Sequence, residues 1–211
     1  MNIESILAVT DFSTAAEHGL ERAALIAVKH QAKLRIIYGA EVPNPGLTDP
    51  SARLRQRGRQ LARRHTIKVE VLEHTQSMLD DVVKHARSAN LLVLDHRCQR
   101  TLQTFWRGTT LDQLLRRCRC PALAVKQVPC ERYERVLVAV DFTVESEKLV
   151  RYASSLDAES ELELFHSFEA LNKAGLCPNT GSHEVIAAYR KVVRQGATDR
   201  SLRISDFFDT R

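Results

Sequence analysis

Two apolar runs set the frame of this chain. The segment from Glu4 to Ser13 places Ile6, Leu7, Ala8 and Val9 in an unbroken run that ends in Thr10-Asp11-Phe12-Ser13. An equivalent segment, Glu134 to Thr143, follows 130 residues later and ends in Asp141-Phe142-Thr143. Uninterrupted aliphatic runs of this length predict strands buried on both faces, as in a parallel sheet. Behind each strand the apolar period lengthens to that of a helix, over Ala15 to His30 and over Glu145 to Leu156. Ser13 and Thr143 are suited to cap these helices, with Glu17 and Glu147 in the first turn near the positive end of the dipole. Leu34 to Tyr38 and Leu162 to His166 then predict second strands. The pattern is strand, helix, strand, twice over, with right-handed crossovers expected.

The first copy continues. Val42 to Pro50 contains three prolines and a glycine and predicts a loop, and Ser51 a cap for an arginine-rich helix to about Arg64. Ile67 to Leu72 alternates as a strand, and Met78 to Arg87 places Leu79, Val82, Val83 and Ala86 on one helical face. Leu91 to Leu94 predicts a buried strand, Thr110 to Arg117 a helix, and Pro121 to Lys126 a fifth strand. The fold class is therefore α/β: a Rossmann-like, parallel five-stranded sheet flanked by helices, followed by a partial second copy. The expected boundaries are a complete unit over 1–128, a linker over 129–133 and a partial unit over 134–211. In that second unit Leu171 to Gly181 reads as a loop, Ser182 to Gln195 as a helix and Leu202 to Phe208 as a third strand.

Charge sharpens the division. Of 31 Lys+Arg and 26 Asp+Glu, residues 1–130 hold 20 and 12, leaving 11 and 14 for the rest. The net charges are +8 and −3, which sum to the chain's +5. No apolar run approaches the roughly 18 residues of a membrane span, and the first residues lack the basic stretch of a signal peptide. A cytoplasmic location is expected. The five cysteines, odd in number and irregularly spaced, then read as reduced thiols; Cys118 and Cys120 have no second pair at metal-site spacing.

Open parallel sheets bind ligands beyond the carboxyl ends of their strands, where the strand order reverses. Thr10 and Asp11 end the first strand, Gly39 follows the second, and Asp95 follows the strand at 91–94. Gly108-Thr109-Thr110 opens a helix whose free N–H groups suit a phosphate, with Arg97, Arg100 and Arg107 in the preceding loop. Together these outline a mononucleotide crevice. His96 beside Asp95 offers a base, but no serine or cysteine at an identifiable elbow accompanies it. Phe105 and Trp106 read as loop anchors, and His166 as a packing residue at a strand end.

The order of elements, the strand-ending Asp11-Phe12-Ser13, and the loop closing in Gly108-Thr109 before a helix and a Cys120-Pro121 strand resemble the universal stress protein family. The resemblance covers 4–128 as a whole unit and 134 to about 208 as an incomplete one; tandem two-unit members are known. It implies a nucleotide site in which the loop reads G-x-x-G, nine residues, then G-S/T, with the strand-ending aspartate near the adenosine. Here the first two glycines are replaced by Asp95 and Cys98. Asp95 adds negative charge where phosphate would lie, and a carboxylate about 4 Å away repels it by on the order of 1–4 kcal/mol. ATP is therefore the implied but weakened ligand, with Thr10, Asp11, Gly39, Asp95, Arg97, Cys98, Gly108, Thr109 and Thr110 as the candidate nucleotide-binding residues. Asp141 reads instead as a helix-capping residue.

The expected function is a non-catalytic role in the stress response through protein interaction, in a homodimer, since a two- or three-stranded unit cannot shield its sheet alone. One alternative is an enzyme that hydrolyses ATP or nucleotidylates a partner with the Asp11/Asp95/Gly108 crevice. A second is nucleic-acid binding through the Arg53–Arg64 helix, but no aromatic interleaving or recognition helix accompanies it. The preferred reading is solvated surface with Leu54 and Leu61 facing inward, or docking of the basic first unit on the acidic second, and nucleic acid is not an expected partner.

Overall fold

The computed structural model describes residues 2–40, 46–73, 77–95, 110–129, 132–141 and 143–165. The chain divides into two compact units between Arg132 and Tyr133. The first runs β1 (Ser5–Thr10), α1 (Thr14–His30), β2 (Lys33–Tyr38), α2 (Pro50–His65), β3 (Val69–Leu72), α3 (Met78–Ala86), β4 (Leu91–Asp95), α4 (Thr110–Arg117) and β5 (Ala122–Val125). The five strands form one sheet in the order β3-β2-β1-β4-β5, and every pairing is parallel. The chain builds outward from β1 to β3, then returns past β1 to lay down β4 and β5. Strand order reverses between β1 and β4.

Alternation along β1 explains why both faces are covered. Leu7 and Val9 join Ile37, Leu92 and Leu94 in a core closed by Val82, Val83 and Ala86 of α3 and Leu114 of α4. Ile6 and Ala8 point to the opposite face and are fully buried. There α1 presents Ala16, Gly19, Ala23, Ala24 and Ala27, small residues that let its axis lie close to the sheet. Leu54 and Leu61 of α2 are buried as their spacing predicts. Truncating either to alanine would cost about 2–5 kcal/mol, because the packed layer cannot collapse onto the void. At the amino edge the Asn90 side-chain oxygen accepts from the Glu4 and Ser5 amides at 3.0 and 2.9 Å, tying the start of β4 to β1.

Several boundaries differ from the sequence reading for local reasons. The arginine-rich helix begins at Pro50, capped by Asp49, whose carboxylate accepts from the Ala52 amide at 2.8 Å; Ser51 lies inside the first turn. Proline is favoured at the first helical position because its missing N–H needs no partner there. Strand β3 starts at Val69 because Thr66 takes a left-handed conformation (φ 56°) and the Ile67 amide still bonds Ala62 of the helix. Asp95 belongs to β4, pairing with Val125.

The second unit contains β6 (Arg135–Ala139), α5 (Val144–Leu156) and β7 (Glu161–Phe165), with β6 and β7 paired in parallel. Val138, Val140, Val150 and Ala153 form its core, while Leu137 and Phe165 are more than half exposed on the other face of the strands. The readings for Leu171–Gly181, Ser182–Gln195 and Leu202–Phe208, and that for His166, lie outside the described residues. Among the described residues no helix is long and apolar enough to cross a membrane.

Candidate functional site

The end of β1 is a tight, internally bonded turn. Thr10 is buried; its carbonyl accepts from the Gly39 amide at 2.9 Å and its hydroxyl from the Phe12 amide at 3.0 Å. The Asp11 carboxylate accepts from the Ser13 amide at 2.9 Å, and Ser13 in turn caps α1 through Ala16. Phe12 sits at φ 64°, a conformation costly for a bulky side chain. What holds it there is packing. Its ring stacks on Tyr38 at 5.3 Å between centroids, and the Arg53 guanidinium carbon lies 4.7 Å from its centre. Burial and the Asp11 charge both push the Tyr38 phenol above its ordinary value of 10.0.

Asp95 closes β4 beside this turn. Ala8 and Val93 are the last paired residues of β1 and β4, and counting two residues further along both strands sets Thr10 level with Asp95 where strand order reverses. Helix α1 passes close to the same strand end, since a side chain at Gly19 would contact the Leu94–Asp95 backbone at 3.8 Å. The structure thus gathers Thr10, Asp11, Gly39 and Asp95 on one sheet edge. Thr110 begins α4 as predicted. Arg97, Cys98, Gly108 and Thr109, with His96, Arg100, Phe105, Trp106 and Arg107, lie outside the described residues.

Gly39 has a packing reason independent of any ligand. A Cβ there would fall 2.7 Å from Val9 Cγ1 and 2.9 Å from Met78 Cγ, inside any tolerable contact. Asp141 in the second unit is engaged in an Asx turn ahead of the helix, whose cap is Thr143. Its carboxylate accepts from the Thr143 amide at 3.0 Å, the Thr143 hydroxyl at 2.6 Å and the Ser146 hydroxyl. Those bonds, the Ser146 one foremost, lower its pKa to about 2. Cys118 and Cys120 pack against the core, and burial raises both thiols above their ordinary value, which disfavours the reactive thiolate.

Sequence reasoning missed the Phe12–Tyr38–Arg53 stack, and also the sorting of the α2 arginines. Arg57 bridges Glu17 at 2.7 Å and Glu21 at 2.9 Å on α1, and Arg64 and His65 reach Glu21 at 3.1 and 2.9 Å. Burial of Glu21 works against its charge, but the His65 and Arg57 hydrogen bonds and the Arg64 charge outweigh it and lower its pKa. The only signal in the sequence is the Glu17/Glu21 spacing, one turn apart on α1.

The universal stress protein family model matches residues 2–126. No curated protein matches the chain. Among solved structures, a universal stress protein from Archaeoglobus fulgidus DSM 4304 is similar over 92% of this chain and 73% of its own, at 15% identity and a TM-score of 0.63. A putative universal stress protein from Pseudomonas aeruginosa UCBPP-PA14 is similar over 94% of this chain and 70% of its own, at 20% identity and a TM-score of 0.55. A universal stress protein solved in complex with cAMP is 24% identical, covering 59% of this chain and 98% of its own at a TM-score of 0.49. The first two likenesses show the fold. Together with the five-stranded parallel sheet and a family model that spans more than half of the residues, they place the chain in the universal stress protein family.

Proposed function

We propose that this universal stress protein is a non-catalytic, cytoplasmic member that acts in the stress response through protein interaction, with its nucleotide crevice degraded. The observation that carries the reading is Asp95 at the end of β4, two residues past Val93, the last residue of that strand paired with β1. A nucleotide phosphate entering between these strand ends meets the Asp95 carboxylate where a bare glycine backbone would suit it. Each unit charge about 4 Å away opposes it by on the order of 1–4 kcal/mol, enough to weaken binding roughly five- to thousandfold.

The second unit is, on this reading, a repeat of the opening strand, helix and strand of the first. Two features support it: the 130-residue offset of the Asp-Phe-Ser/Thr segments, and the same Asx turn at each, Asp11 to Ser13 and Asp141 to Thr143. The exposed Leu137 and Phe165 favour a homodimer in which that face is covered. Titration calorimetry of the full chain with ATP and Mg²⁺ tests the reading. No heat and no thermal shift are expected. Steady phosphate release would overturn the non-catalytic assignment, and micromolar binding without turnover would overturn the degraded crevice. Light scattering that stays monomeric at high concentration would refute the dimer.

A further inference from the structure

The six arginines of α2 are divided by the fold into two sets. Arg53 lies on the Phe12 ring, and Arg57 and Arg64 are paired with Glu17 and Glu21. Arg55, Arg59 and Arg63 are exposed, and among the described residues none has a hydrogen-bond or ion-pair partner. At about 100° and 1.5 Å per residue, positions i, i+4 and i+8 fall within roughly 80° of arc, about 6 Å apart along the axis. They form a single stripe on the side of α2 away from Leu54, Gly58 and Leu61, which are buried. Residues 50–65 contain no acidic side chain. Like charges one turn apart repel, and of the three only Arg63, in the last turn, gains from the helix dipole.

We propose that this stripe binds the phosphate backbone of duplex nucleic acid without reading its sequence. Guanidinium groups match phosphate oxygens in bidentate geometry, and three at about 6 Å intervals can engage successive phosphates of one strand. The exposed residues beside the stripe are Ser51, Ala52, Gln56 and Gln60. Among the described residues that face offers no aromatic ring on which an unpaired base would stack, which favours a duplex over a single strand. It also lacks the apolar anchor on which a protein interface depends, which disfavours an acidic protein partner. The surrounding charge agrees, with net +8 over residues 1–130.

Fluorescence polarisation of the full chain with labelled 20-base-pair duplexes of two unrelated sequences tests this. Three phosphate contacts give a log–log salt slope of about −2.7, so affinity falls about 40-fold between 50 and 200 mM salt, equally for both sequences. R55E/R59E/R63E should abolish binding at 50 mM salt, and R55Q/R59Q/R63Q should reduce the slope to near zero. Circular dichroism should show both variants folded, since all three side chains are exposed. R116E/R119E/K126E changes net charge equally at other exposed positions and should retain binding within about threefold. Four results would each overturn the proposal. These are no binding at 50 mM salt, equal losses in both charge-reversal variants, tighter binding of the single strand, and displacement of the duplex by polyglutamate at matched charge.

Discussion

Gly58→Ala sets two effects of known sign against each other. In an exposed helix the change stabilises by about 1 kcal/mol, because glycine leaves more backbone freedom to lose. At position 58 the new Cβ would lie 2.9 Å from Val71 Cγ2, 3.2 Å from Ile36 Cδ1 and 3.5 Å from Val69 Cγ1. Carbon pairs prefer about 3.5–4.0 Å, so two of the three contacts are compressed. Ile36 Cδ1 is a terminal methyl and can swing aside. Val71 is β-branched and cannot rotate one methyl away without bringing the other in. Overpacking of this kind costs about 1–3 kcal/mol; β3 is an edge strand and can yield, which places the cost near 2. The net expectation is a loss of about 1 kcal/mol, read as a lower urea midpoint by circular dichroism. Gln56→Ala, on the exposed side of the same helix, serves as control and should be neutral or slightly stabilising. If Gly58→Ala instead gained the full 1 kcal/mol, α2 would not sit on β2 and β3 at the distance described.

Three further outcomes follow from the ionisable groups. Glu21 is held below its ordinary 4.5, so its bonds to Arg57, Arg64 and His65 stabilise the fold above that pH and are lost as pH falls through the lowered value. Glu21→Gln should therefore cost about 1–2 kcal/mol at pH 7 and progressively less below pH 4.5, seen in paired urea titrations; a pH-independent difference would refute the ion-pair account. Tyr38 should titrate above 10 by NMR, and Asp11→Asn should lower its value; an unchanged value would show that burial alone is responsible. Ser146→Ala should raise the Asp141 pKa from about 2 toward the carboxylate norm, measured by carboxyl carbon shifts, and no movement would mean that Ser146 is not its main partner.

The layered fold was legible because its strands are continuous apolar runs and its helices repeat every three to four residues. Those periods come from burial on the sheet, and burial is written locally. Errors fell where two local rules compete. Pro50 reads as a loop residue among its neighbouring prolines, whereas after Asp49 it opens a helix. Ile67 looked like a strand residue, whereas the left-handed Thr66 keeps its amide on the helix. The placement of Thr10, Asp11, Gly39 and Asp95 at the carboxyl ends of the strands is legible, because topology alone brings them there. The Phe12–Tyr38–Arg53 stack was not, since it joins three segments whose approach depends on how α2 lies over β2. For the same reason the six arginines looked alike in sequence. Which of them meet Glu17 and Glu21 is decided by the crossing of α1 and α2.

On the proposed reading, the Asp95 carboxylate and the Cys98 side chain replace the two glycines that would admit a phosphate, and so weaken nucleotide binding. Titration calorimetry with ATP and Mg²⁺ on the wild type beside D95G/C98G tests it most directly. No detectable heat is expected from the wild type, and micromolar binding from the variant. Equal binding by both, or binding by the wild type alone, would contradict it.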